Sequence, residues 1–250
     1  MENIDSMEGI MLCSRYSFGP NRLHYCGPDA NREMASLIES GESDIGLAHI
    51  LKQFQTLYPY LRHIARANNI ENPFNRKVVE AYWIGNELLE TIEKRTLHNF
   101  LIDDLHIKDK VDNKEFRWIE EKIGQGALPH HSFHVLNIWR HNKDAKNIAQ
   151  KLESMNECCI TSGTVISVFG PSITVSSKLI TYSKGRFSMG EPIIRVLTRQ
   201  LESEYDIEQI KIGQIVSIHW GVPCEVITEK QRKVLEKYTL KNIAFANQTV

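Results

Sequence analysis

The sequence is poor in the features that would classify it at once. No apolar run approaches the roughly 18 residues of a membrane-spanning helix, so none is expected. There is no CxxC pair, which argues against a zinc ribbon. A phosphate-binding Gly-rich loop ending in Lys-Ser/Thr, a GxSxG elbow and an HExxH helix are all missing, and no such signature decides whether the chain is an enzyme. Repeats and low-complexity tracts are absent too. Neither sign of charge is in excess: 30 Lys plus Arg face 31 Asp plus Glu. That balance argues against broad electrostatic capture of nucleic acid or of an anionic membrane. The opening residues Met1-Glu2-Asn3-Ile4-Asp5 are polar and acidic, the reverse of a secretory signal, and a cytoplasmic location is expected.

Five cysteines are present, Cys13, Cys26, Cys158, Cys159 and Cys224, and they form no regular disulfide framework. Neighbours such as Cys158-Cys159 are poorly suited to bridging each other. In a reducing compartment all five read as free thiols, buried or chemically used.

The hydrophobic pattern divides the chain in two. Residues 1–28 read as irregular, punctuated by Phe18-Gly19-Pro20-Asn21 and Cys26-Gly27-Pro28. Asp29 is a plausible N-cap for a helix that stops at Gly41. A helix over 45–68 buries Leu47, Ile50, Leu51, Phe54, Leu57, Leu61 and Ile64, and Pro59 should kink or divide it. Another is expected from Phe74 to about Arg95, with shorter ones near 96–105 and 114–123. Gly124 to Pro129 is a loop, while His130 to Trp139 fits a helix or an extended segment equally well. A polar helix from Asp144 to about Met155 follows. Beyond Cys158 the chain turns to short β-branched runs, with strands also expected at 192–198 and 213–219, and Thr228 caps a last helix. The fold class expected is α+β: an all-α helical domain over 1–155, then a small β-barrel with a C-terminal helix over 156–250.

Two groups of residues carry chemistry. In Pro129-His130-His131-Ser132-Phe133-His134, either helical or extended backbone leaves a histidine pair able to grip a divalent metal. Glu80, with Glu87 on the same helix face, is placed to add carboxylates. Such a set suits zinc or non-haem iron and would make the helical domain a metal-dependent enzyme. The second group is Cys158-Cys159 with His219, and with Cys224 as a third candidate ligand. A Cys–His nucleophilic pair using Cys26 or Cys159 is a further reading of the same residue types. The segment Arg15 to Pro28 reads as a pocket lip or a strap over the helices. A metal-free interaction protein requires none of these residues.

The second group sits in a recognisable frame. Cys159-Ile160-Thr161-Ser162-Gly163-Thr164-Val165 opens it, and Lys211-Ile212-Gly213-Gln214-Ile215-Val216-Ser217-Ile218-His219-Trp220-Gly221-Val222-Pro223 closes it. Glu225-Val226-Ile227-Thr228-Glu229-Lys230-Gln231 then starts a helix. About a third of the chain thereby resembles the hydrogenase assembly chaperones, small OB-like barrels that carry an iron fragment during metallocofactor assembly. The resemblance implies a metal-binding cysteine at Cys159, a metal-binding histidine at His219, iron as the metal, and a protein partner in cofactor assembly. The chain departs from that family in its internal cysteine and in an insertion over 182–206. Arg15 to Pro28 together with Val79-Glu80-Ala81-Tyr82-Trp83-Ile84-Gly85-Asn86 resembles an uncharacterised bacterial family, which implies no mechanism.

Overall fold

Small residues bring the chain's first helix into its centre. In the computed structural model, which describes residues 2–41, 45–139, 148–198 and 210–249, α1 spans Glu2–Arg22. The expectation of irregular structure over 1–28 is thus corrected for most of its length. Ser6, Gly9, Cys13, Ser14, Ser17 and Gly19 are buried although they read as turn or polar residues. Ser14 and Ser17 return their hydroxyls to the Met11 and Cys13 carbonyls at 2.7 Å each, which makes burial tolerable. A Cβ on Gly9 would lie 1.8 Å from the Phe74 carbonyl oxygen, so only glycine lets that backbone approach. The low helix propensity of these residues hid a helix that packing stabilises.

The next helices are α2 (Asn31–Glu39), α3 (Ile45–Lys52) and α4 (Leu57–Ala67). Ala30, not Asp29, occupies the N-cap of α2 and makes no side-chain cap bond. The chain does divide near Pro59, which sits in the first turn of α4, where a missing N–H costs least. The long helix expected over 74–95 is corrected to α5 (Arg76–Trp83), a short 3-10 turn over Glu87–Leu89, and α6 (Lys94–Asp103). Gly85 makes the break. Its φ is +97°, and a Cβ there would lie 2.3 Å from the Tyr238 ring. Then come α7 (Ile107–Lys110) and α8 (Asn113–Gly124), the latter opened by an Asp112–Glu115 capping box. The histidine segment is helical: a short turn, α9 (His131–Phe133), runs into a π-helical turn over His134–Ile138. α10 is described over Ile148–Cys158; the expected start at Asp144 lies outside the described residues.

The sheet is antiparallel: β1 (Thr161–Phe169), β2 (Ser172–Ser183), β3 (Arg186–Thr198), β4 (Ile215–His219) and β5 (Val222–Ile227). Its order is β3-β2-β1-β4-β5, open and not closed into the expected barrel. α1 lies against β5. β3 is tied to the last helix, α11 (Glu229–Ala246), and its following turn by Asn247, whose side chain pairs with both the N–H and the carbonyl of Phe187. The expected insertion over 182–206 begins as the β2–β3 hairpin, and its part from 199 on lies outside the described residues. Thr228 caps α11 through a box with Gln231, as the sequence suggests. One apolar cluster joins Leu12, Tyr16, Tyr60 and Trp83 to Ile160, Cys224, Ile227 and Tyr238, so the helical part and the sheet share a core across residues 155–156.

Candidate metal centre

Three chain segments end at one point. His131 opens α9, Cys158 closes α10, and His219 closes β4. One ligand atom from each lies within 4.8 Å of the other two. Tetrahedral bonds to a sulfur and two nitrogens would bring such atoms to about 3.5 Å, a contraction of about 1 Å. Both histidines are buried and Cys158 is partly buried.

Each ligand is held from behind. His219 Nδ1 donates to the Tyr16 carbonyl at 2.6 Å, so Nε2 carries the lone pair, and Nε2 is buried without a hydrogen-bond partner. A backbone carbonyl fixing one imidazole nitrogen while the other stays bare is how proteins prepare a metal ligand. His131 Nε2 donates to the Cys158 carbonyl at 2.8 Å, and its Nδ1 accepts from the Tyr82 hydroxyl at 3.0 Å. The Cys158 sulfur is 3.9 Å from the same Nε2. Binding through Nε2 therefore moves the His131 proton to Nδ1, where the Tyr82 oxygen can accept it. One carbonyl hydrogen bond is exchanged, worth about 1 kcal/mol.

The hairpin that delivers His219 is tight. Trp220 and Gly221 between β4 and β5 have φ of 51° and 70°, as in a type I′ turn. Positive φ is strained for a bulky residue. Trp220 is held there by its N–H to the Glu157 carbonyl at 2.8 Å and by Tyr25, stacked on the indole at 4.4 Å.

Burial dominates the electrostatics. It pushes the Cys158 thiol up to about 12, reinforced by Cys26 and opposed by the Trp220 indole. It lowers His219 to about 4 against the opposing hydrogen bond to the Tyr16 backbone, and it holds His131 well below its usual value, with His219 adding to the effect. Thiol and imidazoles are thus neutral together. That is unlike an activated thiolate–imidazolium nucleophile. A cation among them would stabilise the thiolate that burial disfavours.

The ligands face a pocket of about 150 Å³ lined by aromatic rings: Tyr25, Phe54, Tyr82, Trp83, Trp139 and Trp220. Cys26 and His134 also line it, and among the described residues no Lys, Arg, Asp or Glu does.

A family model described as Family of unknown function (DUF6390) matches residues 5–250. The chain belongs to that family. No curated protein and no solved structure matches it. The DUF6390 match spans the helical part and the sheet together, and it is not a match to the hydrogenase assembly chaperones.

Among the residues singled out from the sequence of this DUF6390 member, the fold brings together His131, Cys158 and His219. It does not bring Cys159 to His219. Cys159 lies in a separate apolar cluster with Met155, Ile180 and Ile243, and burial drives its thiol far above the usual range. Cys224 is buried in the main core, its thiol donating to the Val222 carbonyl at 3.4 Å. His130 serves as the N-cap of α9, its Nδ1 accepting from the Ser132 N–H, and it stacks on Tyr238 at 5.1 Å. His134 lines the pocket, but its Nδ1 meets the Tyr60 hydroxyl at 3.2 Å. Glu80 accepts from Gln231 at 2.9 Å, beside the start of α11, and Glu87 lies along the same groove. The sequence reading missed Tyr82 and Trp220 as parts of the centre. A bulky residue before glycine in a two-residue hairpin was the one available signal for Trp220.

Proposed function

We propose that this protein binds a divalent transition metal, zinc in the first place, through His131, Cys158 and His219, with a fourth position open to the aromatic pocket. The convergence of those three donors carries the reading, and the bare, carbonyl-oriented Nε2 of His219 is its sharpest part. Two nitrogens and one sulfur with an open position match the donor count of catalytic zinc sites. Once bound, such an ion would supply Lewis acidity on the pocket wall. The chain's own residues would do the rest. Tyr82 would hold the His131 ring, Tyr16 the His219 ring, and the aromatic walls would exclude water. Among the described residues the lining carries no fixed charge, and a cavity of this size accepts a benzene-sized molecule. The ligand taken at the open position is therefore small and uncharged.

The iron-carrier reading implied by the resemblance uses the same His219, now with Cys158 in the place of Cys159. Elemental analysis with infrared spectroscopy, on protein purified without oxygen and without a histidine tag, separates the two. One zinc per chain without cyanide or carbonyl bands is the expected result. Iron with those bands would establish the carrier instead. No metal retained after zinc or cobalt reconstitution would sink both.

A further inference from the structure

The proline in α1 has a structural consequence for the metal centre. In an uninterrupted α-helix the Tyr16 carbonyl accepts the N–H of the residue four positions on. That residue is Pro20, which has no N–H and still lies inside α1. A proline ring also presses on the carbonyl four residues back and tilts it away from the helix axis. The Tyr16 carbonyl is the one that accepts His219 Nδ1–H at 2.6 Å. Close approach makes this reachable. A Cβ on Gly19 would stand 3.1 Å from the Trp220 Cβ and 3.2 Å from the His219 carbonyl oxygen, so the hairpin rests directly on this turn of the helix.

We infer that Pro20 is a positioning residue for the centre: it releases the Tyr16 carbonyl from the helix to hold His219 as the Nδ1–H tautomer, with Nε2 free to bind metal. The inference rests on the metal reading only for its purpose, since the hydrogen bond exists without metal. Without a carbonyl acceptor, a neutral imidazole is free to place its proton on either nitrogen. The molecules carrying the proton on Nε2 would then present a donor where the metal needs a lone pair. An alanine at position 20 restores a competing N–H and lets the carbonyl return to the helix axis.

The test has two readouts. In the metal-free protein, nitrogen-15 NMR of the His219 ring should show a single Nδ1–H tautomer, and Pro20→Ala should convert it to a mixture. Zinc affinity, measured by competition with a chelator, should fall roughly 10–100-fold in the same variant, the usual effect of losing the group that hydrogen-bonds a ligating imidazole. An unchanged tautomer and unchanged affinity in folded Pro20→Ala would overturn the inference. If the variant does not fold, the unaltered protein still decides, because scalar coupling between His219 Nδ1 and the Tyr16 carbonyl carbon must be present, and its absence refutes the role. A wild-type protein that takes no zinc but shows the tautomer shift would refute the metal reading and leave the hydrogen-bond device standing.

Discussion

Two adjacent pairs, His130-His131 and Cys158-Cys159, each send one member into the pocket and one into the core. His131 and Cys158 meet beside His219. His130 caps α9 and stacks on Tyr238, and Cys159 packs with Met155, Ile180 and Ile243. The residue types are identical and the burial is similar. What differs is the surroundings: His130 caps its helix turn against the Tyr238 ring and Cys159 sits among apolar side chains, whereas His131 and Cys158 line the pocket beside the bare Nε2 of His219. One residue of helical or strand phase separates a structural residue from a ligand.

The largest effect expected is the contrast between the two cysteines. Cys158→Ser should abolish zinc retention, because the only anionic ligand of the set is lost. Cys159→Ser should keep the zinc and lower stability by about 1–3 kcal/mol, the cost of a hydroxyl without a partner among apolar groups. Metal content by elemental analysis beside a urea titration reads both. Zinc retained in Cys158→Ser and lost in Cys159→Ser would invert the assignment and restore the pairing implied by the resemblance.

The histidine pair should follow with smaller numbers. His131→Ala should reduce zinc affinity by two or more orders of magnitude with a modest change in stability. His130→Ala should leave affinity within a few-fold while costing about 1–2 kcal/mol, from the lost cap and ring stack. Equal losses of affinity in both variants would mean that the segment acts as one unit and that the division drawn between the two residues is false.

How much of this was legible follows from where the information lies. The α+β class, the cap at Thr228, the division near Pro59 and the run of strands after Cys158 all come from local pattern. So does the membership of His131, Cys158 and His219 among the residues worth watching. Phase was not legible. The sequence places Cys158 and Cys159 side by side, and the resemblance favours Cys159. Only the end of α10, where Cys159 N–H still bonds the Met155 carbonyl at 2.8 Å, sets which thiol turns inward to the apolar cluster. α1 was hidden for a related reason. Its glycines and serines are poor helix formers, and Gly9 and Gly19 are there because neighbours come too close for a side chain. The open sheet, too, depends on what occupies its edges, and that is tertiary information.

Acidity sharpens the comparison last. In the metal-free protein the two regions should respond alike, because burial lowers both His130 and His219 to about 4. The unfolded chain takes up these protons near 6.5 and the folded chain does not. Stability is therefore fully present above 6.5 and is lost as the pH falls toward 4, by about 1.4 kcal/mol per pH unit for each such histidine. Metal separates the regions. The pocket histidines are already neutral at pH 6–8, so they release nothing when zinc binds, whereas the Cys158 thiol, held up to about 12, must give up its proton. Zinc affinity should accordingly rise about tenfold for each pH unit in that range, with one proton released per metal. A slope of zero in a chelator competition would exclude Cys158 as the thiolate ligand. A slope of two would mean that a second thiol, Cys26 at the pocket wall, completes the site.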